Sequence, residues 1–153
     1  MIILLLCVLV IGVLLAKKTK KSAPKYVALP IMTPNELEFF ARLTRALGAD
    51  HHVFPQVAMS ALIKPVDSFK DNKTAYWKIN QKRVDFTVFT HAMSLVCIVE
   101  LDDRLHVASK DQERDGWTSS AGIPTVRWQS NAKPSEQVIR QTILGLEARA
   151  LRA

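Results

Sequence analysis

The sequence predicts a mixed α/β domain that follows one apolar N-terminal segment, and three observations support this prediction. Stretches with helical periodicity and stretches with strand-like alternation follow one another in the order α-β-β-β-α-β-α. The chain of 153 residues is long enough for one domain with its own core. Hydrophobic residues make up 48% of the chain and charged residues 23%, a composition typical of globular proteins rather than of disordered ones.

The apolar N-terminal segment predicts a membrane anchor. Residues 1–16 contain no charged side chain, and the lysine-rich stretch KKTKK follows them directly. As a helix they would cover about 24 Å, less than the roughly 30 Å core of a bilayer, a mismatch that snorkelling lysines and local thinning can absorb. A cleaved signal peptide is one alternative, but a positive n-region is absent and Leu14 stands where a small residue is expected. A buried helix of a soluble protein is the other alternative.

The position of the lysines predicts the orientation of this anchor. The positive-inside rule places the lysine side, and the domain after it, in the cytoplasm. The chain would then be a single-pass protein of the inner (plasma) membrane. Residues 17–32 combine lysines with Pro24 and Pro30, which predicts a basic juxtamembrane tether attracted to anionic headgroups. The domain itself is expected over residues 33–153.

The net charge of +7 is local and does not indicate a DNA-binding face. Residues 1–26 hold five lysines and no acid, so the rest of the chain carries 16 basic and 14 acidic residues. The two cysteines, Cys7 and Cys97, lie in unrelated contexts. Their number and placement exclude a disulfide framework and a cysteine-based zinc site.

The first predicted helix has a strong start signal. Thr33 can act as the N-cap, Pro34 suits the first turn, and Glu36 completes a capping box. The helix should end at Gly48. Its apolar stripe consists of Leu37, Phe40, Leu43 and Leu47.

The remaining elements are predicted from alternation, periodicity and turn residues. A first strand is expected over residues 52–62, and a polar loop over residues 64–78. Two further strands over residues 83–89 and 95–101 should form a hairpin. The last three elements are a helix over 110–121, a strand over 125–128 and a helix over 136–151.

Two groups of residues are expected to have structural roles only. Residues 111–115 predict an exposed, charged helix face. The three tryptophans share no common spacing, which favours packing over a base-stacking platform; they are Trp77, Trp117 and Trp128.

The hairpin carries the strongest chemical signal, a cluster of acids. With the turn centred between residues 92 and 93, Asp85 pairs with Glu100 across the two strands, and Asp102 extends the same face. Directly opposed like charges destabilise a sheet, so such a pair requires a bound cation, a shared proton or a nearby base. Ligands made only of carboxylate oxygens suit Mg²⁺ or Mn²⁺ better than zinc. The alternative is a solvated strand edge on which Lys82 and Arg83 balance the acids, with Arg83 opposite Asp102.

These residues and their surroundings resemble a known family, domain-of-unknown-function family 2726. The resemblance covers roughly residues 33–129. It rests on residues 84–86 (VDF), 97–103 (CIVELDD) and His106, with flanks at 32–36 (MTPNE), 54–57 (FPQV), 122–124 (GIP) and 126–127 (VR). The family is identified as a member of the PD-(D/E)XK nuclease-like superfamily, close to the very-short-patch repair endonucleases. The superfamily core, α-β-β-β-α-β, agrees with the order predicted above from the residues.

The resemblance implies roles for particular residues. Asp85 matches the motif aspartate and Glu100 the acid of the (D/E)XK element, and both would hold Mg²⁺ or Mn²⁺ that activates water and neutralises charge on a phosphate. The motif lysine is replaced by Asp102, which is the third predicted ligand. His106 stands where the repair endonucleases also have a histidine and could act as general base or acid.

Three further residues could complete this site. Gln56, on the first strand, could orient water. Lys82 or Lys110 could supply the positive charge that the motif lysine would carry. Glu36 matches a helix glutamate used by some members of the superfamily, although the capping box alone accounts for it.

Two functions therefore remain open. One is a membrane-anchored, cytoplasm-facing, metal-dependent phosphodiester hydrolase that acts on DNA. The other is a non-catalytic module with the nuclease fold that binds nucleic acid or a protein partner. The acid cluster favours the first, whereas the missing lysine and the nearly neutral domain favour the second. The fold alone does not decide between them.

Overall fold

The computed structural model describes residues 23–102 and 108–152. The predicted anchor over residues 1–16 and the first part of the tether, residues 17–22, lie outside these ranges. Within them, every helix is too short or too polar to cross a bilayer.

A four-stranded mixed sheet organises the fold. Its strands are β1 (His51–Ala58), β2 (Arg83–Thr90), β3 (Leu95–Asp102) and β4 (Thr125–Gln129). They lie in the order β1-β2-β3-β4, with the first two contacts antiparallel and the β3–β4 contact parallel. The helices are α1 (Pro34–Leu47), α2 (Lys73–Asn80), α3 (Ala108–Ser120) and α4 (Glu136–Ala150). The predicted mixed α/β class and the β2–β3 hairpin are confirmed, and α2 is an additional helix.

The N-terminus of α1 has the predicted cap. The Glu36 amide donates to Thr33 Oγ1 at 3.3 Å, and the Thr33 amide donates to Glu36 Oε2 at 2.6 Å. Pro34 occupies the first turn, where a missing N–H has no cost. The helix ends at Leu47, and its C-cap, Gly48, has a φ of +63°, which a residue without a Cβ readily adopts.

The predictions for residues 52–78 are wrong in two places. β1 ends at Ala58, and Met59–Ala61 form a short 3-10 turn instead of continuing the strand to residue 62. The predicted loop over residues 64–78 contains the start of α2, whose first turn is capped by Asn72 accepting from the Ala75 amide at 3.1 Å. Ile79 is the one buried residue of this helix, so its sequence lacks the repeated apolar stripe by which a helix is recognised.

Two hydrophobic clusters cover opposite faces of the sheet. On one face, α1 and α4 pack on β2 and β3, with Phe39, Phe86, Val99 and Ile139 fully buried. On the other face, Ile98 and Ile79 are buried together, and the α3 residue Trp117 packs against them. Successive residues of β3 serve different clusters because side chains alternate between the two faces of a strand.

The central strand β3 also carries a buried thiol. Cys97 has no exposed surface and lies in the first cluster. Burial raises the pKa of the Cys97 thiol to about 12, which keeps it protonated and unreactive.

The tryptophans divide into two kinds. The ring centroid of Trp128 lies 5.7 Å from that of Phe39, and Trp117 packs in the second cluster, as predicted. Trp77 does not pack in this way, because 57% of its surface is exposed on the outer side of α2.

Candidate functional site

The predicted contact between Asp85 and Glu100 is present. The paired residues of β2 and β3 end at Phe86↔Val99, and Asp85 and Glu100 are the next residues on their two strands. Their side chains are within hydrogen-bonding contact. Two carboxyl groups can lie this close in two ways. One of them can hold a proton, or the two can bind one cation together.

Asp85 also bonds to the backbone of β3 where the pairing of β2 and β3 ends. Its Oδ2 accepts a hydrogen bond from the Leu101 amide at 2.9 Å. The β2–β3 residue pairs end at Phe86↔Val99. Just beyond that point, the side chain of Asp85 on β2 accepts the hydrogen bond from the Leu101 amide on β3. The carboxylate pair therefore lies where the hairpin opens.

Burial dominates the electrostatics of this pair. Glu100 is 5% exposed. Burial, and then the negative charge of Asp85, raise the pKa of Glu100 to about 8, against the opposite influence of Arg114 and Arg127. Burial also raises the pKa of Asp85, although the hydrogen bond from Leu101 acts in the other direction. Both pKa shifts favour the protonated form, and in coupled carboxyl groups they belong to the pair rather than to either residue alone.

The balancing cations come from elements that sequence reasoning did not connect with the acids. Arg114 on α3 donates to Glu100 Oε1, and Arg127 on β4 donates to Asp102 Oδ1 at 2.8 Å. Arg127 also holds Asp115 with two hydrogen bonds, at 2.9 and 2.7 Å. The parallel pairing Glu100↔Arg127 between β3 and β4 creates this arrangement.

These contacts correct two expectations. The acids do not lie on a solvated edge balanced by Lys82 and Arg83: Asp102 is 9% exposed, and both of those cations are exposed to solvent. Residues 111–115 are not simply an exposed helix face, because the side chain of Arg114 is only 17% exposed. The sequence did contain one signal for these partners of the acids. Arg127 is a charged residue in the middle of a short strand, where burial requires a partner.

Gln56 and Glu36 lie beside the carboxylate pair. Gln56 has a φ of +54°, uncommon for a residue other than glycine, and its Nε2 donates to Glu36 Oε1 at 3.1 Å. The negative charge of Glu36 is one of the influences that raise the pKa of Asp85. Glu36 therefore both caps α1 and contributes to the field at Asp85.

Two predicted participants cannot be placed in this geometry. His106 lies outside the residues that the structure describes, as does the side chain of Lys110. Within residues 23–102 and 108–152, no group of three or more His, Cys, Asp or Glu side chains is arranged to hold a metal ion. Asp102 forms an ion pair with Arg127. A cation shared by Asp85, Glu100 and Asp102 stays a prediction.

A cavity of about 390 Å³ opens on the same face of the sheet. Its walls come from the segment before α2, from α2 itself and from α3, and they include Pro65, Ala75 and Trp117. Trp117 is one helical turn after Arg114, the residue that contacts Glu100. The cavity therefore adjoins the helix that also borders the carboxylate pair.

Comparisons with known proteins identify relatives without an assigned activity. A family model described as "Protein of unknown function (DUF2726)" matches residues 28–146. An "Uncharacterized protein" of Haemophilus influenzae is 27% identical over 119 residues, which is 73% of this chain and 60% of that protein. The chain thus spans less than two thirds of that relative's length. No solved structure matches the chain significantly.

Proposed function

The chain belongs to the DUF2726 family, and from that premise we propose that it is a nuclease-like protein, a phosphodiester hydrolase that acts on DNA with Mg²⁺ or Mn²⁺. Asp85 and Glu100 are the proposed ligands. The element order, with α2 as an insertion in the predicted α-β-β-β-α-β core, is compatible with the PD-(D/E)XK nuclease-like fold.

The observation that carries this proposal is the contact between Asp85 and Glu100. A sheet gains nothing from two opposed, largely buried carboxyl groups unless a proton or a cation joins them. Mg²⁺ usually binds through one or two carboxylates and keeps several waters, so this donor set fits it without a third acid. When bound, the ion would lower the pKa of a water ligand and neutralise charge on the phosphate.

The remaining residues have positioning roles in this proposal. Arg127 supplies positive charge next to residue 102, where the motif has a lysine, and Asp102 holds its guanidinium in place. Gln56 holds Glu36 beside Asp85 and could orient a water. His106 is the proposed general base or acid.

The proposed location follows from the residues outside the described ranges. Residues 1–16 would anchor the chain in the inner membrane, and the lysines after them would keep the domain in the cytoplasm. Protease treatment of spheroplasts tests this orientation. Digestion of the domain from outside the cell would contradict it.

One observation favours a second function, a non-catalytic nuclease-fold module that binds nucleic acid or a protein partner. Asp102 replaces the motif lysine, and the ion pair between Asp102 and Arg127 neutralises the guanidinium that would compensate for it. A cation neutralised in this way stabilises transition-state charge less than a lysine aimed at the phosphate.

Calorimetric titration of the full chain with Mg²⁺ or Mn²⁺ tests the main proposal. Binding should be tighter at pH about 9 than at pH about 6, with release of a proton, because the ion must displace the proton that the pair holds. Glu100→Gln should abolish binding. Glu38→Gln is the matched control, since Glu38 is an exposed acid on α1 that pairs with Arg42 and Lys133.

The outcomes separate the two functions. Metal binding together with metal-dependent cleavage of a DNA substrate, both lost in Glu100→Gln, supports the hydrolase. Equal binding by the wild type and Glu100→Gln would contradict the proposed ligands. Absence of binding at either pH would favour the non-catalytic module.

A further inference from the structure

The positive charge of the domain is concentrated in the β1–β2 connection, residues 59–82. This connection holds five lysines and two aspartates, whereas residues 27–153 as a whole hold 16 basic and 14 acidic residues. The rest of that part of the chain is therefore slightly acidic. Arg83, the first residue of β2, directly extends the basic stretch.

Among the residues that the structure describes, most of these cations face solvent without an acidic partner. The set comprises Lys64, Lys70, Lys73, Lys78, Lys82 and Arg83, and all six are exposed. In the part of the chain that the structure describes, only Lys78 forms an ion pair among them, with Glu113 at 2.7 Å. The two acids of the connection are held by neutral neighbours instead: Asp67 accepts from Asn72 at 3.1 Å, and Asp71 accepts from Ser68. In the described part of the chain, neither aspartate therefore forms an ion pair with these lysines.

Three aromatic rings stand among these lysines. The ring centroid of Phe69 lies 5.4 Å from that of Tyr76 and 6.4 Å from that of Trp77, with edge-to-face geometry. Phe69 is 48% exposed and Trp77 is 57% exposed, so ring surface remains open to solvent. The rings are held in place, because Tyr76 Oη donates to the Asp67 carbonyl at 3.1 Å and Ile79 anchors α2 in the core.

This surface lies on the same side of the sheet as Glu100. Ile79 packs on Ile98, which precedes Glu100 by two residues on β3 and therefore shares its face. The cavity beside α2 has Lys64 and Lys78 in its lining. A substrate that approaches Glu100 from this face would pass the connection.

We propose that the β1–β2 connection is a docking surface for single-stranded nucleic acid. Unstacked bases lie on the exposed rings of Phe69 and Trp77, and the lysines, with Arg83, contact the phosphates. Lysines interleaved with exposed aromatic rings are the combination that binds single strands, since every unpaired base presents a face for stacking. In a duplex those faces are covered by neighbouring bases, so the rings find no partner there.

The same composition would also suit an anionic membrane surface, but the location favours nucleic acid. A bilayer that covered the connection would obstruct the face on which Glu100 lies. This inference rests on the proposed function, because it names the substrate form that reaches that pair. Its test uses binding alone and is independent of hydrolysis.

The test measures fluorescence anisotropy of a labelled thymidine oligonucleotide of about 15 nucleotides, a length within the range such surfaces cover, with full-length Glu100→Gln and no added metal. Single-stranded oligonucleotide should bind more tightly than the matching duplex. Trp77→Ala should weaken single-strand binding by about tenfold, and Trp77→Phe should restore most of it. Lys70→Ala and Lys73→Ala should each reduce the magnitude of the slope of log affinity against log salt concentration by about 0.7.

Two controls separate this surface from a general effect of charge or folding. Arg149→Ala removes an exposed cation from α4, on the opposite face of the sheet, and should leave affinity and salt slope unchanged. Metal titration of Trp77→Ala in the otherwise wild-type chain should match the wild type. The carboxylate pair can therefore fail its own test while the docking surface passes, and the reverse.

Three results would overturn the proposal. The first is equal affinity for single strand and duplex with no effect of Trp77→Ala. The second is a loss of affinity in Arg149→Ala as large as in Lys73→Ala. The third is binding to phosphatidylserine vesicles that falls in Trp77→Ala and Lys73→Ala while oligonucleotide affinity stays the same, which would assign the surface to a membrane.

Discussion

Asp102 and Arg127 are joined across the parallel strands β3 and β4 by an ion pair of 2.8 Å, at the residue where the resembled motif has a lysine. Their side chains are 12% and 21% exposed, so neither charge is well solvated without the other. Arg127 extends the link to Asp115 on α3. A single guanidinium thus ties β4 and α3 to the edge of the candidate site.

Removing this guanidinium should destabilise the fold. Arg127→Ala leaves Asp102 buried and unpaired, which should lower the free energy of unfolding by about 3 kcal/mol in urea denaturation. Arg45→Ala is the control, because Arg45 and its partner Glu136 are about half exposed and such pairs contribute about 0–1 kcal/mol. Equal effects of the two substitutions would contradict a buried role for the Asp102–Arg127 pair.

The carboxylate pair predicts an unusual pH dependence of stability. The pKa of Glu100 is about 8 in the folded chain, above its ordinary value of 4.5, so between these values the folded state holds a proton that the unfolded state has lost. Stability of the metal-free chain should therefore fall as the pH rises from about 4.5 to about 8. Denaturation across this range measures the fall. Glu100→Gln should remove most of it, because glutamine cannot ionise and only the raised pKa of Asp85 then contributes.

Mg²⁺ should reverse this loss if the proposed site binds it. At pH about 8 the added ion replaces the proton and stabilises the folded chain by an amount that grows with the logarithm of its concentration above Kd. At pH about 5 the same addition should have little effect, since the proton competes better. A thermal shift of equal size at both values, or one retained in Glu100→Gln, would speak against binding at this pair.

The two roles of Glu36 can be separated by one substitution. Glu36→Gln preserves the capping box, since glutamine also serves at that position, so stability at low pH should change by only a few tenths of a kcal/mol. It removes a negative charge that raises the pKa of Asp85, so the pH-dependent loss of stability should become smaller. An unchanged pH profile would limit Glu36 to its capping role.

The main core offers a test of the fold itself. Phe39 is fully buried, and its ring centroid lies 5.9 Å from that of Phe86. Phe39→Ala should lower the free energy of unfolding by about 3–5 kcal/mol in urea denaturation. Trp77→Ala, which removes a larger ring that is 57% exposed, should cost far less. Comparable losses would indicate that Trp77 is buried in solution.

The sequence predicted those features whose causes are local. The capping box at Thr33 and Glu36 needs only a spacing of three residues, and alternation along β3 was enough to place Glu100 on the face of Ile98. Arg114 and Arg127 were missed as partners of the acids because their position depends on the parallel β3–β4 pairing, which no local pattern specifies. Helix α2 was missed because a helix that buries one residue leaves no periodic stripe.

Cys97 gives the central strand a built-in reporter. Because the thiol is fully enclosed and protonated at neutral pH, an alkylating reagent can reach it only after β3 leaves the sheet or the chain unfolds. In a chain whose other cysteine, Cys7, is replaced by serine, the labelling rate therefore measures how often the sheet opens. When β3 leaves the sheet, the same event also exposes Glu100, since both residues belong to that strand.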